Sequence, residues 1–452
     1  MRPTHFLICI LTFLLFSFPC YSQTRDYWPD EDWKTKLPEE MGMDTVLLHA
    51  MTRKIEFSMN YVDAFLIVKD GYLVYEHYFN GYDKDTPHLI CSATKSVTNI
   101  VMGIMFTNNF ITDIGLNILE YFPEYQEINS DVRINDITLE HIMAYTAGLY
   151  NSDSEAYGSA STDALKYYLG NRFLSDPGVE FRYATPASHL QSALITKILG
   201  VSEQTFAEQK LLSNLGINNF NWLTDPLGYT YGGHNAYFCP RDMLKFGYLY
   251  LNQGVWNGDT LVDPGFVAAS TMVHTNGGSP HNEKYGYNWW ITKNNGYDAY
   301  FAGGYGGQFI YVVPELDLVV AITCNTVSHR ETARFLINTH VVPSILQPAS
   351  SEIKTTKNRT RAVRIAPDWI QNQWLISFQI DKKETVYFSL TDLYGKNLGS
   401  CSEKRAYEAG IHCLTINVVP VPGPYILRGF IGETEVICKK MINPVMGYNP
   451  NP

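Results

Sequence analysis

The feature that most constrains this chain is a change of hydrophobic period near residue 350. Before it, apolar residues recur at helical spacing between short strand-like runs. After it, they alternate with period two. Gln373-Trp-Leu-Ile-Ser-Phe-Gln-Ile380 puts Trp374, Ile376, Phe378 and Ile380 on one face, the signature of a half-buried strand. Further short runs follow, with turns at Gly395, Gly423 and Gly432. The charge changes sign at the same place. Residues 1–351 hold 21 Lys and Arg against 36 Asp and Glu, and residues 352–452 hold 13 against 9. The expected organisation is an α/β domain over 40–345, a polar linker over 346–364 and a small all-β sandwich over 365–445.

The N-terminus reads as a targeting segment. Arg2 and His5 precede the apolar run Phe6–Phe18, and small residues follow near Ser22. This is the layout of a secretory signal peptide over 1–22, cleaved before Gln23, so the protein is expected to be exported to the periplasm, the cell surface or the medium. Cys9 and Cys20 would be lost and six cysteines kept, with no pairing readable from spacing. A net charge of −11 argues against nucleic acid as a partner.

Chemistry enters with Ser92-Ala93-Thr94-Lys95, which opens an amphipathic helix. Ala93, Val97, Ile100, Val101, Ile104 and Met105 share its apolar side, and Ser92, Lys95 and Asn99 the polar one. Residues three apart are neighbours on a helix, so the lysine can activate the serine hydroxyl. An N-capping serine beside a solvated lysine would give the same pattern. A second match, Ser351-Glu-Ile-Lys354, lies in the polar linker without periodicity. Cys91 reads as a small buried residue.

Two further segments stand out. Asp176-Pro-Gly-Val-Glu-Phe-Arg-Tyr-Ala-Thr-Pro186 leads an extended segment into a helix expected over 187–200, with Thr185 as N-cap and Pro186 at the first helical position. That places Tyr183 on a fixed corner, although a core tyrosine is the ordinary alternative. Ala302-Gly303-Gly304-Tyr305-Gly306-Gly307-Gln308 precedes two strong strands. Glycines there let backbone amides approach a ligand, or simply make a turn. A further helix is expected over 136–147. No Gly-x-Ser-x-Gly, His-Glu-x-x-His or paired Cys-x-x-Cys occurs, so no metal or other cofactor is expected.

Taken in order, Ser-x-x-Lys, the tyrosine corner and the glycine-rich strand resemble the class C β-lactamase and penicillin-binding-protein superfamily over roughly 40–345. Ser92–Asn99 is similar to the family's nucleophile helix and Ile137–Leu149 to its common segment, and Gly232–Gly258, Tyr285–Ile291 and Phe301–Val320 resemble its 6-aminohexanoate-dimer hydrolase branch. The resemblance implies an antiparallel sheet flanked by helices, with a helical subdomain. It implies an acyl-enzyme on Ser92, proton transfer by Lys95 and Tyr183 (the phenol pKa lowered by the lysine), and an oxyanion hole from the backbone N–H groups of Ser92 and Tyr305. Thr185, Ala302, Gly303 and Gly304 would contact substrate. Ala302 stands where the superfamily carries a cation, which points away from carboxylate-bearing substrates and towards neutral esters or amides of small-molecule or peptide-like type. β-Lactamase or D-Ala-D-Ala carboxypeptidase activity, or non-catalytic peptidoglycan binding, are the alternatives. About 75 residues of the tail, within 365–445, resemble the C-terminal sorting domain of the type IX secretion system, with that machinery as the implied partner. The oligomeric state is left open.

Overall fold

The computed structural model describes residues 25–158, 162–325 and 332–346, and in the tail 363–368, 373–380, 382–392, 397–400, 404–417, 424–432 and 434–442. The signal segment, most of the linker and the second Ser-x-x-Lys lie outside them. The centre is an eight-stranded antiparallel sheet: β1 (Val62–Lys69), β2 (Tyr72–Tyr78), β3 (Thr275–Gly278), β4 (Glu283–Tyr285), β5 (Trp290–Asn294), β6 (Tyr297–Gly304), β7 (Gln308–Val313) and β8 (Leu318–Cys324). Its spatial order is β2-β1-β8-β7-β6-β5-β4-β3. β1 and β2 are joined at Asp70 and Gly71, both with positive φ, the backbone a tight two-residue hairpin needs.

β1, β7 and β8 are buried along their whole length, as their continuous apolar runs demand. The helix Pro240–Leu251 packs on all three. It comes close because Gly247 carries no side chain: a Cβ there would lie 2.6 Å from Val319 and 2.9 Å from Ile310. The chain is already tied to this body at Arg25, which pairs with Asp317, and at Trp28 and Trp33, which pack on Tyr248.

Between β2 and β3 the chain forms the helical region that carries the site. Thr94–Thr107 is almost wholly buried, and Thr185–Leu199 crosses it. Two local expectations are corrected. The helix expected over 136–147 is only Leu139–Met143, preceded by a 3-10 turn, and Tyr145 adopts positive φ. Thr185 lies inside its helix rather than capping it. Ala184 is the cap residue and makes no side-chain bond. In the tail, Val363–Asp368, Gln373–Ile380 and Gly410–Asn417 form one small antiparallel sheet. Five other strands, with Glu384–Asp392 at their centre, form a second. Phe378 of the first meets Phe388 of the second.

Candidate active site

Ser92 sits in the 3-10 turn Cys91–Ala93 that runs directly into the helix Thr94–Thr107. Cys91 has φ 48°, a left-handed conformation that costs a residue with a side chain about 1–2 kcal/mol. The turn therefore sets the serine at the very end of the helix, at the mouth of a cleft, while the next turn is buried. Lys95, one turn on, is 2% exposed. Its Nζ donates to Ser92 Oγ at 2.9 Å, to Thr185 Oγ1 at 3.1 Å and to the Gly233 carbonyl at 2.7 Å. Three acceptors match its three N–H groups. Burial nevertheless lowers its pKa to about 8, and the nearby Asp153 carboxylate limits the fall.

Tyr183 packs beside them. Its ring stacks on Trp290 at 5.9 Å and meets Tyr145 edge-on at 5.2 Å. The lysine Nζ lies 5.0 Å from the ring centroid, within cation–π range. The phenol pKa is raised, not lowered as expected. Burial outweighs every other influence, including the hydrogen bond with Ser92. The group is therefore a phenol at neutral pH. Burial also pushes the Cys91 thiol up to about 11, so it is not a competing nucleophile at neutral pH.

Asp153, at the start of a short helix, is a member of the site that no motif marks. It accepts from the Thr185 hydroxyl and, at 3.2 Å, from the Thr185 backbone N–H, so its carboxylate rather than a threonine caps the Thr185–Leu199 helix. Asn151 donates to it at 2.7 Å. The Thr185 side chain is thereby free to link Asp153 to Lys95.

The cleft has two arms that share Ser92, Asp153 and Tyr305. One, about 710 Å³, runs past Tyr183, Arg182, His281 and Gly303. The other, about 380 Å³, runs past Thr185, Tyr157 and His234. β6 ends against the serine turn, and a Cβ on Gly304 would collide with the Ile90 carbonyl. Gly303 is as tightly constrained, since the His281 ring fills the place of its missing side chain. Gly303, Gly304 and Tyr305 thus border the cleft beside Ser92. Ala302 does not. It is fully buried in the core and lines neither arm, because strand alternation turns it away from Gly303. Its expected contact with substrate is corrected accordingly. The cationic side chain on the larger arm is Arg182, from the tyrosine corner, and it is paired with Glu180.

An antiparallel sheet flanked by helices, with a serine and a lysine one turn apart at the start of a buried helix, defines the β-lactamase/transpeptidase class of serine hydrolase. Residues 60–339 match the family described as Beta-lactamase, and the chain belongs to that family. It is 24% identical over 280 residues to the 6-aminohexanoate-dimer hydrolase of Paenarthrobacter ureafaciens, covering 57% of this chain and 71% of that one. Among solved structures, a penicillin-binding protein homologue from Caulobacter crescentus superposes with a TM-score of 0.55 at 14% identity, over 69% of this chain and all of the other. EstCE1, described as a hydrolase with promiscuous acyltransferase activity, gives 0.54 at 16%, over 67% and 98%. The chain is a serine hydrolase of the β-lactamase fold.

Proposed function

We propose that this is an exported hydrolase of esters or amides that works through an acyl-enzyme on Ser92. The observation that carries the reading is the buried Lys95 amine, 2.9 Å from Ser92 Oγ and with a pKa lowered to about 8. At pH 7 about a tenth of such an amine is neutral, enough to take the serine proton as Oγ attacks the carbonyl carbon. The phenol of Tyr183 keeps its proton at that pH and is suited to pass it to the departing alkoxide or amine. Lys95 then gives the serine-derived proton to the Tyr183 phenolate beside it, so that both groups regain their starting states. Backbone N–H groups of Ser92 and Tyr305 would hold the oxyanion, and water would complete turnover.

The substrate reading is a neutral ester or amide. Asp153 brings a carboxylate to the junction of the two arms, and Arg182 is shared with Glu180 through one of its nitrogens. A substrate carboxylate would meet the charge of Asp153 there and find a cation already shared with Glu180. Amide hydrolysis is what the name of the Paenarthrobacter relative describes, and the two arms give room for groups on both sides of a scissile bond. Export is inferred from the N-terminal segment, and recognition by a type IX secretion machinery from the tail.

A fluorophosphonate probe tests the nucleophile. The wild type should label on Ser92 and hydrolyse p-nitrophenyl acetate, and a folded Ser92→Ala variant should do neither. Undiminished hydrolysis by that variant would sink the reading. Efficient turnover of benzylpenicillin with neutral esters untouched would overturn the substrate class.

A further inference from the structure

We propose that the buried His189–Asp225 pair is a positioning device for Lys95: it fixes the Gly232–Gly233 strip whose carbonyl receives one of the lysine's three N–H groups. The inference rests on the reading of Lys95 as the base and names residues that do not touch the reacting atoms.

The strip lies across the first turns of the helix Thr185–Leu199 at a distance only glycine allows. A Cβ on Gly232 would be 2.5 Å from the Ser188 carbonyl oxygen, and one on Gly233 would be 2.7 Å from Thr185 Cγ2. Two hydroxyls hold the segment: Thr98 donates to Gly232 O at 2.8 Å, and Ser192 donates at 2.6 Å to the carbonyl of Thr230, which precedes the strip. The Gly232 N–H turns instead to His189 Nδ1 at 3.4 Å. His189 is fully buried, and its Nε2 meets Asp225 Oδ2 at 2.9 Å. An imidazole that donates from Nε2 leaves Nδ1 as an acceptor, which is the state the Gly232 N–H requires.

Asp225 cannot drift. Its other oxygen accepts from the backbone N–H groups of Leu227 at 2.9 Å and Tyr229 at 2.8 Å. The chain of contacts therefore runs from a fixed turn through Asp225 and His189 to the strip, and from Gly233 O to Lys95. An acceptor for a buried ammonium favours its charged form, so the pair tunes the proton equilibrium of the lysine as well as its place. The groups facing His189 are Asp225, His234, Tyr157, Tyr229 and Tyr231. Those facing Lys95 are Asp153, Cys91, His234 and Tyr183.

The test reads Lys95 itself. The full chain is labelled with ¹³C at lysine Cε and titrated by NMR as wild type, His189→Leu, His189→Asn and Asp225→Asn, with p-nitrophenyl acetate turnover followed in parallel. In His189→Leu the lysine should titrate about half a unit or more below wild type, because its ammonium has lost an acceptor. Turnover should fall about tenfold to a hundredfold. His189→Asn, whose amide oxygen can take the Gly232 N–H, should recover most of both. Should His189→Leu fail to fold, the shape-preserving Asp225→Asn is expected to shift the lysine in the same direction. An unchanged or raised Lys95 titration in a folded variant overturns the proposal, and so does lost turnover without that shift. The titration needs no catalysis. A wild type that resists the fluorophosphonate would therefore count against the hydrolase reading alone.

Discussion

Two buried ionisable groups flank the Gly232–Gly233 strip, and they are treated in opposite ways. Lys95, on the cleft side, has three acceptors. Glu203, on the far side, is fully buried beside the hydroxyls of Thr98 and Ser192, yet neither of its carboxyl oxygens makes a well-formed hydrogen bond. Those hydroxyls have already given their protons to Gly232 O and Thr230 O, so a carboxylate there finds no donor. Burial drives both groups towards neutrality, the lysine down to about 8 and the glutamate up to about 7. The difference is in what each shift serves. At Lys95 it yields a base that can act near neutral pH while fully held in place. At Glu203 it yields an acid that costs stability and lies away from the reacting serine.

The comparison breaks most visibly at Lys95. Lys95→Met should lower kcat/KM for p-nitrophenyl acetate by ~10²–10⁴, the usual worth of general acid–base help. It should leave the melting temperature equal or higher, since an amine that resists burial has gone. A folded Lys95→Met protein with near-wild-type turnover would remove the lysine from the mechanism. Tyr183→Phe, by the same measure, should retain acylation with a good leaving group and lose it with a poor one. Equal losses with both would mean the phenol does not protonate the leaving group.

Glu203→Gln should act on stability alone. The folded pKa of Glu203 is raised from 4.5 to about 7. Below pH 4.5 both folded and unfolded chains carry the proton, and the residue costs nothing. Between 4.5 and 7 the unfolded chain ionises first, so the wild type loses stability as pH rises. Above 7 the loss levels off at about 3 kcal/mol. The amide keeps the shape of the protonated acid and removes only the ability to ionise. The melting temperature of the variant should match wild type at pH 4 and exceed it at pH 8, with turnover unchanged. A gap that is the same at both pH values would mean that Glu203 does not titrate in this window.

How far these features can be read from sequence depends on how local their contacts are. Ser92 and Lys95 are three residues apart on one helix, and Tyr183 sits on a corner marked by glycine and proline, so all three are legible. β1, β2, β7 and β8 are legible as apolar runs. Thr185 passes for a cap in the sequence because the carboxylate that meets the helix end, Asp153, comes from a polar stretch with no periodicity. Ala302 passes for a cleft residue because a motif does not say which face of a strand a residue takes. The Gly233 carbonyl lies 138 residues from Lys95, and no local pattern joins it to His189. The direction of the Tyr183 pKa fails for a related reason: a neighbouring lysine can be inferred from sequence, but the depth of burial that outweighs it cannot.

The smallest effect is expected at Asp153, and it sharpens the comparison from the other side. The Asp153 carboxylate is the charge that most opposes the downward shift of Lys95. Glu203 has no such opposing charge among the causes of its shift, only the neighbouring neutral hydroxyls of Ser192 and Thr98, whose protons are already given to Thr230 O and Gly232 O. Asp153→Asn keeps an oxygen for the Thr185 N–H, removes the charge, and puts an NH2 group where the carboxylate accepts from the Thr185 hydroxyl. The lysine should then titrate lower still, and the acid limb of kcat/KM should move down with it. A fall of about half a unit would raise the neutral amine at pH 7 about threefold, so turnover of a neutral ester at that pH should rise while the rate at pH 9 stays put. Because Asp153 lines the open mouth of the cleft, its field is partly screened, and added salt should shrink the difference between the two proteins. An acid limb that stays fixed, or moves up, would show that the carboxylate serves Thr185 and the helix end rather than the charge on Lys95.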